Sequence, residues 1–238
     1  MKLDILAFGA HPDDVELGCS GTIAKEISLG KKVGIIDLTR GELGTRGSVE
    51  IRNNESEAAA KILGISIREN LDMRDGFFLN DESHQMRIIE IIRKYKPEIV
   101  LCNAIDDRHI DHAKGSKLVS DACFLSGLIR IETSIDGIQQ TAWRPKLVYH
   151  YIQWKNIEPD FVVDITGFID KKEASILAYG SQFYNPNSEE PETPIATKNF
   201  LESIHNRSRE LGRLIGTEYA EGFTVERYLA VNSLGDLI

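Results

Sequence analysis

The sequence predicts an α/β fold built on a mostly parallel sheet. Through the first half of the 238-residue chain, short apolar segments typical of buried strands alternate with longer segments of helical periodicity. Glycine or proline follows several of the helical segments, as is usual where helices end. This β-α-β-α order favours a Rossmann-like sheet covered by helices on both faces. We expect residues 1–238 to form a single domain with a smaller C-terminal extension.

Strands and helices alternate regularly through the first half. Gly30 ends the first predicted helix, Ser48 caps the start of the second and Gly64 ends it, and Pro97 ends the third. The predicted strands are LDILAFGA (3–10), KVGIIDLT (32–39), IRENL (67–71) and EIVLCN (98–103). The predicted helices are ELGCSGTIAKEISLG (16–30), SVEIRNNESEAAAKILG (48–64), ESHQMRIIEIIRKYK (82–96) and DHAKGSKLVSDACFLSG (111–127).

The second half is less regular. Residues 184–197 hold three of the seven prolines and several acids, which indicates a surface loop. The remaining predicted elements are the strands KLVYHYI (146–152) and FVVDI (161–165), the helix DKKEASILAYGSQ (170–182), a final helix over 198–215 and the strand VERYLAV (225–231).

The composition argues against several classes of protein. The formal net charge is −9 and no basic cluster offsets it, which argues against nucleic acid and an acidic membrane surface as partners. Cys19, Cys102 and Cys123 form no C-x-x-C pair, as is typical of a reducing compartment. No apolar stretch approaches the roughly 18 residues that span a bilayer, and no signal-peptide pattern opens the chain. We therefore expect a cytoplasmic protein.

Histidine and aspartate follow two of the predicted strands. HPDD (11–14) follows the first strand, and DDRHIDH (106–112) follows the EIVLCN strand. Because ligands of parallel sheets bind beyond the carboxyl ends of the strands, we expect these two segments to meet.

Two imidazoles and one carboxylate suit a divalent metal ion. We predict His11, Asp14 and His112 as the ligands, because zinc accepts nitrogen and oxygen ligands and keeps an open position for water when the protein supplies three. Iron(II) also suits this set. The adjacent Asp13 is then free to act as a general base toward the activated water.

The second segment carries a further histidine and aspartate. His109 is a candidate for stabilising an oxyanion or protonating a leaving amine. Asp111 is a candidate for orienting an imidazole, and we expect that imidazole to be His109.

Each segment alone has a simpler interpretation. HPDD could be a polar turn with an aspartate cap, and DDRHIDH could be a solvated loop. Their complementary ligands at two strand ends favour the metal site instead. A dinucleotide site is disfavoured because Gly9, Gly18 and Gly21 do not form G-x-G-x-x-G. RGELGTRG lacks the lysine and Ser/Thr pair of a P-loop.

These motifs resemble those of a known family. AHPDDVELGCSGTIA (10–24) and DRHIDHAKGSKLV (107–119) are similar to the LmbE/PIG-L family of zinc-dependent N-acetylglucosamine deacetylases. The similarity extends to LDMRDGFF (71–78) and YAEGF (219–223). The flanking detail most resembles the bacillithiol-biosynthesis deacetylases, which remove acetyl from N-acetylglucosaminyl malate.

The resemblance agrees with the roles assigned above. It implies Zn²⁺ on His11, Asp14 and His112, with Fe²⁺ as an alternative, and it implies Asp13 as the general base. It also implies His109 as the oxyanion-stabilising group or general acid, with Asp111 behind it.

The resemblance also suggests how the substrate is bound. Arg52 matches a substrate-binding arginine of the family, and Arg144 matches an arginine of this subgroup. Arg108, near the mouth of the expected site, is a further candidate for binding malate carboxylates, which arginine contacts in a bidentate manner. Phe200 stands where some relatives have a tyrosine. The implied assembly is a homo-oligomer, with hexamers among the relatives.

The expected function is thus hydrolysis of the N-acetyl group of N-acetylglucosaminyl malate, a small amino-sugar conjugate. One alternative is the same chemistry on free N-acetylglucosamine, a chitobiose fragment or another amide conjugate. A non-catalytic sugar-binding module is another, although the chain retains every motif residue. A two-metal phosphoesterase would need more carboxylates.

Overall fold

The fold centres on one seven-stranded sheet. The computed structural model describes residues 1–236, and in this range the strand order is β3-β2-β1-β4-β7-β9-β8. A short separate hairpin, β5–β6, follows the fourth helix. The strands are β1 Ile5–Gly9, β2 Val33–Thr39, β3 Ile67–Met73, β4 Ile99–Cys102, β5 Ser134–Ile135, β6 Ile138–Gln139, β7 Leu147–Tyr151, β8 Phe161–Asp164 and β9 Ala220–Val225.

The helices begin and end largely where the sequence predicts. The Ser48 hydroxyl accepts a hydrogen bond from the amide of Ile51, and Gly64 ends the same helix with a φ of 84°. Lys96, with a φ of 47°, ends the third helix immediately before Pro97. The helices are α1 Asp14–Ser28, α2 Val49–Leu63, α3 Glu82–Tyr95, α4 Ile110–Leu125, α5 Ile169–Leu177 and α6 Lys198–Leu214.

The predicted fold class is confirmed. The pairs β1–β2, β1–β4, β2–β3 and β4–β7 are parallel, whereas β9 runs antiparallel to both of its neighbours. Successive residues of β1 point to opposite faces of the sheet. Leu6 and Phe8 join a core with α3 and α4, while Ile5 and Ala7 join a core with α1. Helices therefore cover both faces, and strands from both halves of the chain share one sheet.

The last predicted strand is wrong in position. Strand β9 is AEGFTV, and Tyr228, inside the predicted VERYLAV strand, is 98% exposed. Sequence pattern disfavours AEGFTV as a strand because glycine and glutamate are poor strand formers. Glu221 is tolerated in the buried strand because its charge is compensated within the protein. Its carboxylate accepts hydrogen bonds from the Gly21 and Thr22 amides and pairs with Lys172 at 2.7 Å.

The segment after α4 depends on a buried arginine. Arg93 of α3 is 2% exposed. Its guanidinium donates to the carbonyl oxygens of Ser126, Leu128 and Ile131 and to the Thr133 hydroxyl. One side chain thus satisfies main-chain acceptors that no regular element satisfies.

Two further observations concern the whole described chain. Residues 184–197 contain neither helix nor strand, as predicted for a surface loop. Among residues 1–236, every helix is too short or too polar to cross a bilayer.

Candidate active site

The two motif segments meet at the carboxyl edge of the sheet. Strands β1 and β4 are neighbouring parallel strands, so the residues that follow them leave the sheet side by side. The Asn103 side chain, directly after β4, accepts a hydrogen bond from the amide of Ala10, directly after β1, at 2.9 Å. This contact ties the two segments together at the base of the site.

The three predicted ligands converge on one another. His112 Nε2 lies 3.0 Å from Asp14 Oδ1, and His11 Nδ1 lies 3.5 Å from Asp14 Oδ2. Two ligands about 2.0–2.1 Å from one tetrahedral ion are separated by about 3.3 Å. The nitrogen and oxygen donors present, and the distance of each imidazole from Asp14, therefore suit a divalent metal ion. Two other sets bring one donor atom from each residue within 4.8 Å of one another: His11, His109 and His112, and His11, Asp75 and Asp111.

Two carboxylates that the sequence reasoning missed hold the imidazoles. Asp75 Oδ1 lies 3.1 Å from His11 Nε2, and Asp107 Oδ2 lies 2.5 Å from His112 Nδ1. Each imidazole thus has one nitrogen on a carboxylate and the other facing Asp14, as is usual for metal-binding histidines. Asp75 follows β3, so the rule that ligands lie beyond strand ends could have indicated it.

The charges around the ligands shift their pKa values strongly. Burial lowers the pKa of His112, but the charge of Asp14 and the hydrogen bonds to Asp107 and Asp14 together outweigh burial and raise that pKa to about 9. Burial likewise opposes the charged form of His11, but hydrogen bonds to Asp111, Asp14 and Asp75 raise its pKa well above the ordinary value. Without a metal ion, the cluster therefore favours imidazolium groups paired with carboxylates.

Asp13 is buried in an unusual backbone conformation. Its φ is 129°, where L-amino acids are rare, and it forms the N-cap of α1. Residues held this way typically cost about 1–3 kcal/mol and cluster at functional sites. Burial raises the pKa of the Asp13 carboxyl to about 7, although the charge of Arg52 lowers it. A carboxyl with a pKa near neutral pH is suited to accept and return a proton.

Arg52 lies against Asp13 at the wall of the site. Its Nη2 donates to Asp13 Oδ2 at 2.7 Å and its Nε donates to the Pro12 carbonyl at 3.0 Å. A Cβ at Gly41 would lie 2.3 Å from Arg52 Nη1, so the GELG loop closes tightly around this guanidinium. Two of the five guanidinium N–H groups of Arg52 are thus engaged by Pro12 and Asp13, and the expectation that Arg52 binds a substrate carboxylate stays a prediction.

His109 stands at the start of α4, beside both metal-ligand candidates. Its ring centre lies 4.7 Å from that of His11 and 5.0 Å from that of His112. Its Nδ1 accepts a hydrogen bond from the Asp111 amide at 3.3 Å. Burial and the charges of His11 and His112 lower the pKa of His109, which favours the neutral imidazole.

The carboxylate of Asp111 does not orient His109. It accepts hydrogen bonds from the Gly76 amide and Lys114, each at 2.7 Å, and its Oδ2 lies 3.5 Å from His11 Nε2. The sequence expectation was wrong on this point because His109 caps the helix with its own ring, which leaves the Asp111 side chain to turn toward His11.

A cavity of about 1040 Å³ opens over these groups. Arg52 and Arg108 line it, together with Trp154 and Phe200. The Arg108 guanidinium lies 4.5 Å from the Trp154 ring centre, and the Trp154 ring stacks on Phe200. The volume lies at the upper end of the range for small-molecule sites, about 300–1,000 Å³.

Arg144 lies elsewhere. It donates to the Phe124 carbonyl and covers the Phe124 ring, near the C-terminal end of α4. Since α4 begins at the cavity and rises about 1.5 Å per residue, its last turn is roughly 20 Å away. The expectation that Arg144 binds substrate in the same chain is wrong for this structure.

Comparison with known proteins places the chain in a family. A profile of the PIG-L family, described as GlcNAc-PI de-N-acetylase, matches residues 6–123. The solved structure of the conserved protein TT1542 from Thermus thermophilus is 34% identical, with a TM-score of 0.85 over 97% of this chain and 98% of that one. The chain belongs to the PIG-L family.

Two further relatives extend the comparison. Diacetylchitobiose deacetylase from Thermococcus kodakarensis is 28% identical over 92% of the chain and 81% of its own length. The uncharacterized deacetylase YaiS from Escherichia coli is 38% identical over 45% of the chain. That alignment covers 61% of YaiS, less than two thirds of its length.

One further relative is named as a hydratase and not as a deacetylase. The 4-oxalmesaconate hydratase of Pseudomonas putida is 27% identical over 74% of the chain and 73% of its own length. Membership of the PIG-L family therefore does not by itself fix the reaction.

Proposed function

We propose that the protein hydrolyses the N-acetyl group of an N-acetylglucosamine conjugate. One observation carries the proposal: the buried Asp13 carboxyl, with its pKa near 7, lies beside the converging donors of His11, Asp14 and His112. A base next to a metal-ligand set is what amide hydrolysis by water requires. The family profile and the deacetylase relatives support the same reaction class.

A divalent ion, which we propose to be Zn²⁺ with Fe²⁺ as the alternative, would be held by His11, Asp14 and His112 and would polarise the amide carbonyl and acidify the attacking water. Asp13 accepts the proton of that water. Arg52 holds the Asp13 carboxylate in place through Oδ2. The protonated carboxyl then gives the proton to the departing amine.

His109 is proposed to stabilise the oxyanion as a neutral donor. Its Nδ1 accepts a hydrogen bond from the Asp111 amide, so the single proton of the neutral ring is on Nε2. An N–H that is held in place in a partly buried site stabilises developing negative charge without reorganisation. This role agrees with the lowered pKa of His109, and it leaves proton transfer to the amine with Asp13.

The specific substrate proposed is N-acetylglucosaminyl malate. The malate carboxylates need a cation, and Arg108 lines the cavity with its guanidinium resting on Trp154. Arg52 is partly engaged by Pro12 and Asp13, and Arg144 lies away from the cavity, so Arg108 carries this part of the proposal. Free N-acetylglucosamine and chitobiose fragments are the alternative substrates of the same chemistry, and the chitobiose deacetylase relative favours the second.

The test is acetate release by metal-loaded and chelator-treated protein in parallel. The substrates are N-acetylglucosaminyl malate, N-acetylglucosamine and diacetylchitobiose. We expect metal-dependent release with preference for the malate conjugate. Release without that preference would keep the reaction and discard the malate substrate. Absence of release from all three by metal-loaded protein would leave a sugar-binding module or a hydratase.

The hydratase alternative follows from the Pseudomonas putida relative. It predicts addition of water to the double bond of a conjugated tricarboxylic acid, measured as loss of the ultraviolet absorbance of the enoate. The homo-oligomer stays a prediction of the family resemblance, and light scattering of the purified protein measures it.

A further inference from the structure

A glutamine from the second half of the chain reaches the metal-ligand set. Gln153 lies two residues beyond the end of β7 and is 6% exposed. Its Nε2 donates to Asp14 Oδ1 at 2.9 Å and lies 3.5 Å from His112 Nε2. Asp14 Oδ1 is also the oxygen nearest to His112. Gln153 therefore contacts the oxygen that faces the second imidazole.

The orientation of the Gln153 amide is determined by its other contacts. Its Oε1 accepts hydrogen bonds from Asn103 Nδ2 at 3.0 Å and from the Ala104 amide at 3.1 Å. Both partners are donors, so the oxygen must face them and the NH₂ group must face Asp14. The side chain can therefore only donate to the carboxylate.

The carboxylate of Asp14 is held on both oxygens. Its Oδ2 accepts from the His11 amide at 2.9 Å and from Asn103 Nδ2 at 3.0 Å, while Gln153 holds Oδ1. These donors fix the plane of the carboxylate before any ion arrives. A ligand oriented in advance binds a metal ion with less loss of side-chain freedom.

The backbone at Gln153 is anchored from α6. Arg207 donates one hydrogen bond to the Gln153 carbonyl and another to the Trp154 carbonyl, the second at 2.9 Å. Its guanidinium thus holds the turn that presents the amide.

We propose that Gln153 is a positioning residue that sets the affinity and coordination geometry of the metal site through Asp14. The inference rests on the ligand set of the proposed function. It adds a contribution from the second half of the chain that neither motif contains.

The experiment measures metal binding and not turnover. Zn²⁺ affinity is determined by competition with a chromophoric chelator, and coordination is followed by the visible absorption of the Co²⁺-loaded protein. We expect Gln153→Met, a neutral side chain of similar length, to weaken Zn²⁺ binding about 10- to 100-fold, the usual cost of losing such a partner. We also expect it to change the Co²⁺ spectrum, which loss of stability alone would not do.

Gln182 provides the matched control. It is another buried glutamine that lines the same cavity, but its amide donates to the Arg46 carbonyl and to Ser181. We expect Gln182→Met to keep the wild-type Zn²⁺ affinity and Co²⁺ spectrum. Equal weakening by both variants would overturn the proposal, since it would indicate a general effect of cavity glutamines.

A second variant covers the case in which Gln153→Met does not fold. Gln153→Glu keeps an acceptor for Asn103 and Ala104 but replaces the donor to Asp14 with a carboxylate oxygen. We expect a changed Co²⁺ spectrum, and a wild-type spectrum would overturn the proposal. If the wild-type protein itself bound neither Zn²⁺ nor Co²⁺, the metal site of the proposed function would fail instead.

Discussion

Arg52 Nη2 donates to Asp13 Oδ2 at 2.7 Å, and both side chains are buried. The arginine expected to bind substrate is therefore bound to the group that we propose as the base. Its positive charge offsets part of the burial penalty that raises the pKa of Asp13. Arg52 is thus placed to act on turnover through Asp13, and its variants test this.

Replacing Arg52 by Ala should lower kcat by at least about tenfold, because it frees the base and leaves its buried charge uncompensated. The loss should be similar for N-acetylglucosamine and its malate conjugate, as measured by steady-state kinetics on both. A rise in KM confined to the malate conjugate would instead support the carboxylate-binding role.

Replacing Asp13 by Asn should lower kcat about 10²- to 10⁴-fold, the usual contribution of a general base. The bound metal should be retained, as measured by elemental analysis of the purified variant. Near-normal turnover with metal present would show that the base is another group.

Replacing Arg108 by Ala should raise KM for the malate conjugate about tenfold, which corresponds to the loss of one exposed charge-assisted contact. KM for neutral N-acetylglucosamine should change less than about twofold. Arg144→Ala is the control, since Arg144 packs on Phe124 away from the cavity. If Arg144→Ala raised KM as much as Arg108→Ala, the placement of the anion would be wrong.

Metal-free protein should lose stability as the pH rises through about 9. The folded structure raises the pKa of His112 from 6.5 to about 9, so its imidazolium stabilises the fold fully below pH 6.5 and ceases to do so above pH 9. The upper limit is on the order of 3 kcal/mol. Chelator-treated wild type and His112→Gln are compared by urea unfolding from pH 6 to 10. Their difference in unfolding free energy should shrink across this range, and a constant difference would contradict the assignment.

Replacing Lys172 by Met should destabilise the protein by roughly 3–5 kcal/mol, because it leaves the buried Glu221 charge without its partner. Urea unfolding of Lys172→Met and of Lys171→Met, the neighbouring exposed lysine, measures this. A destabilisation no larger than that of Lys171→Met would show that hydrogen bonds from α1 suffice for Glu221.

The parallel part of the sheet and its helices could be predicted from local sequence patterns. Ser48, Gly64 and Pro97 mark helix ends through local chemistry, and apolar runs mark the strands that helices cover on both faces. Strand β9 was misplaced because the partner that lets its glutamate be buried is distant in sequence: Glu221 pairs with Lys172. The hydrophobic periodicity of a short segment gives no information about partners distant in sequence.

The candidate site was also predicted only in part. Strand ends predicted that HPDD and DDRHIDH meet, because parallel neighbours bring their carboxyl ends together. The sequence does not show in which direction each side chain points. It therefore did not predict that the carboxylates of Asp75 and Asp111 both face His11. Gln153 belongs to no recognised motif and was missed, since only the three-dimensional path of β7 brings it to Asp14.

The buried guanidinium of Arg93 has a consequence for how this protein can vary between species. It contacts the segment 126–133 mainly through main-chain carbonyl oxygens, which every amino acid supplies. The loop can therefore exchange its exposed side chains without losing the support that shapes it. We expect homologous sequences to diverge freely at the exposed positions 128–130 and 132 while retaining arginine at position 93.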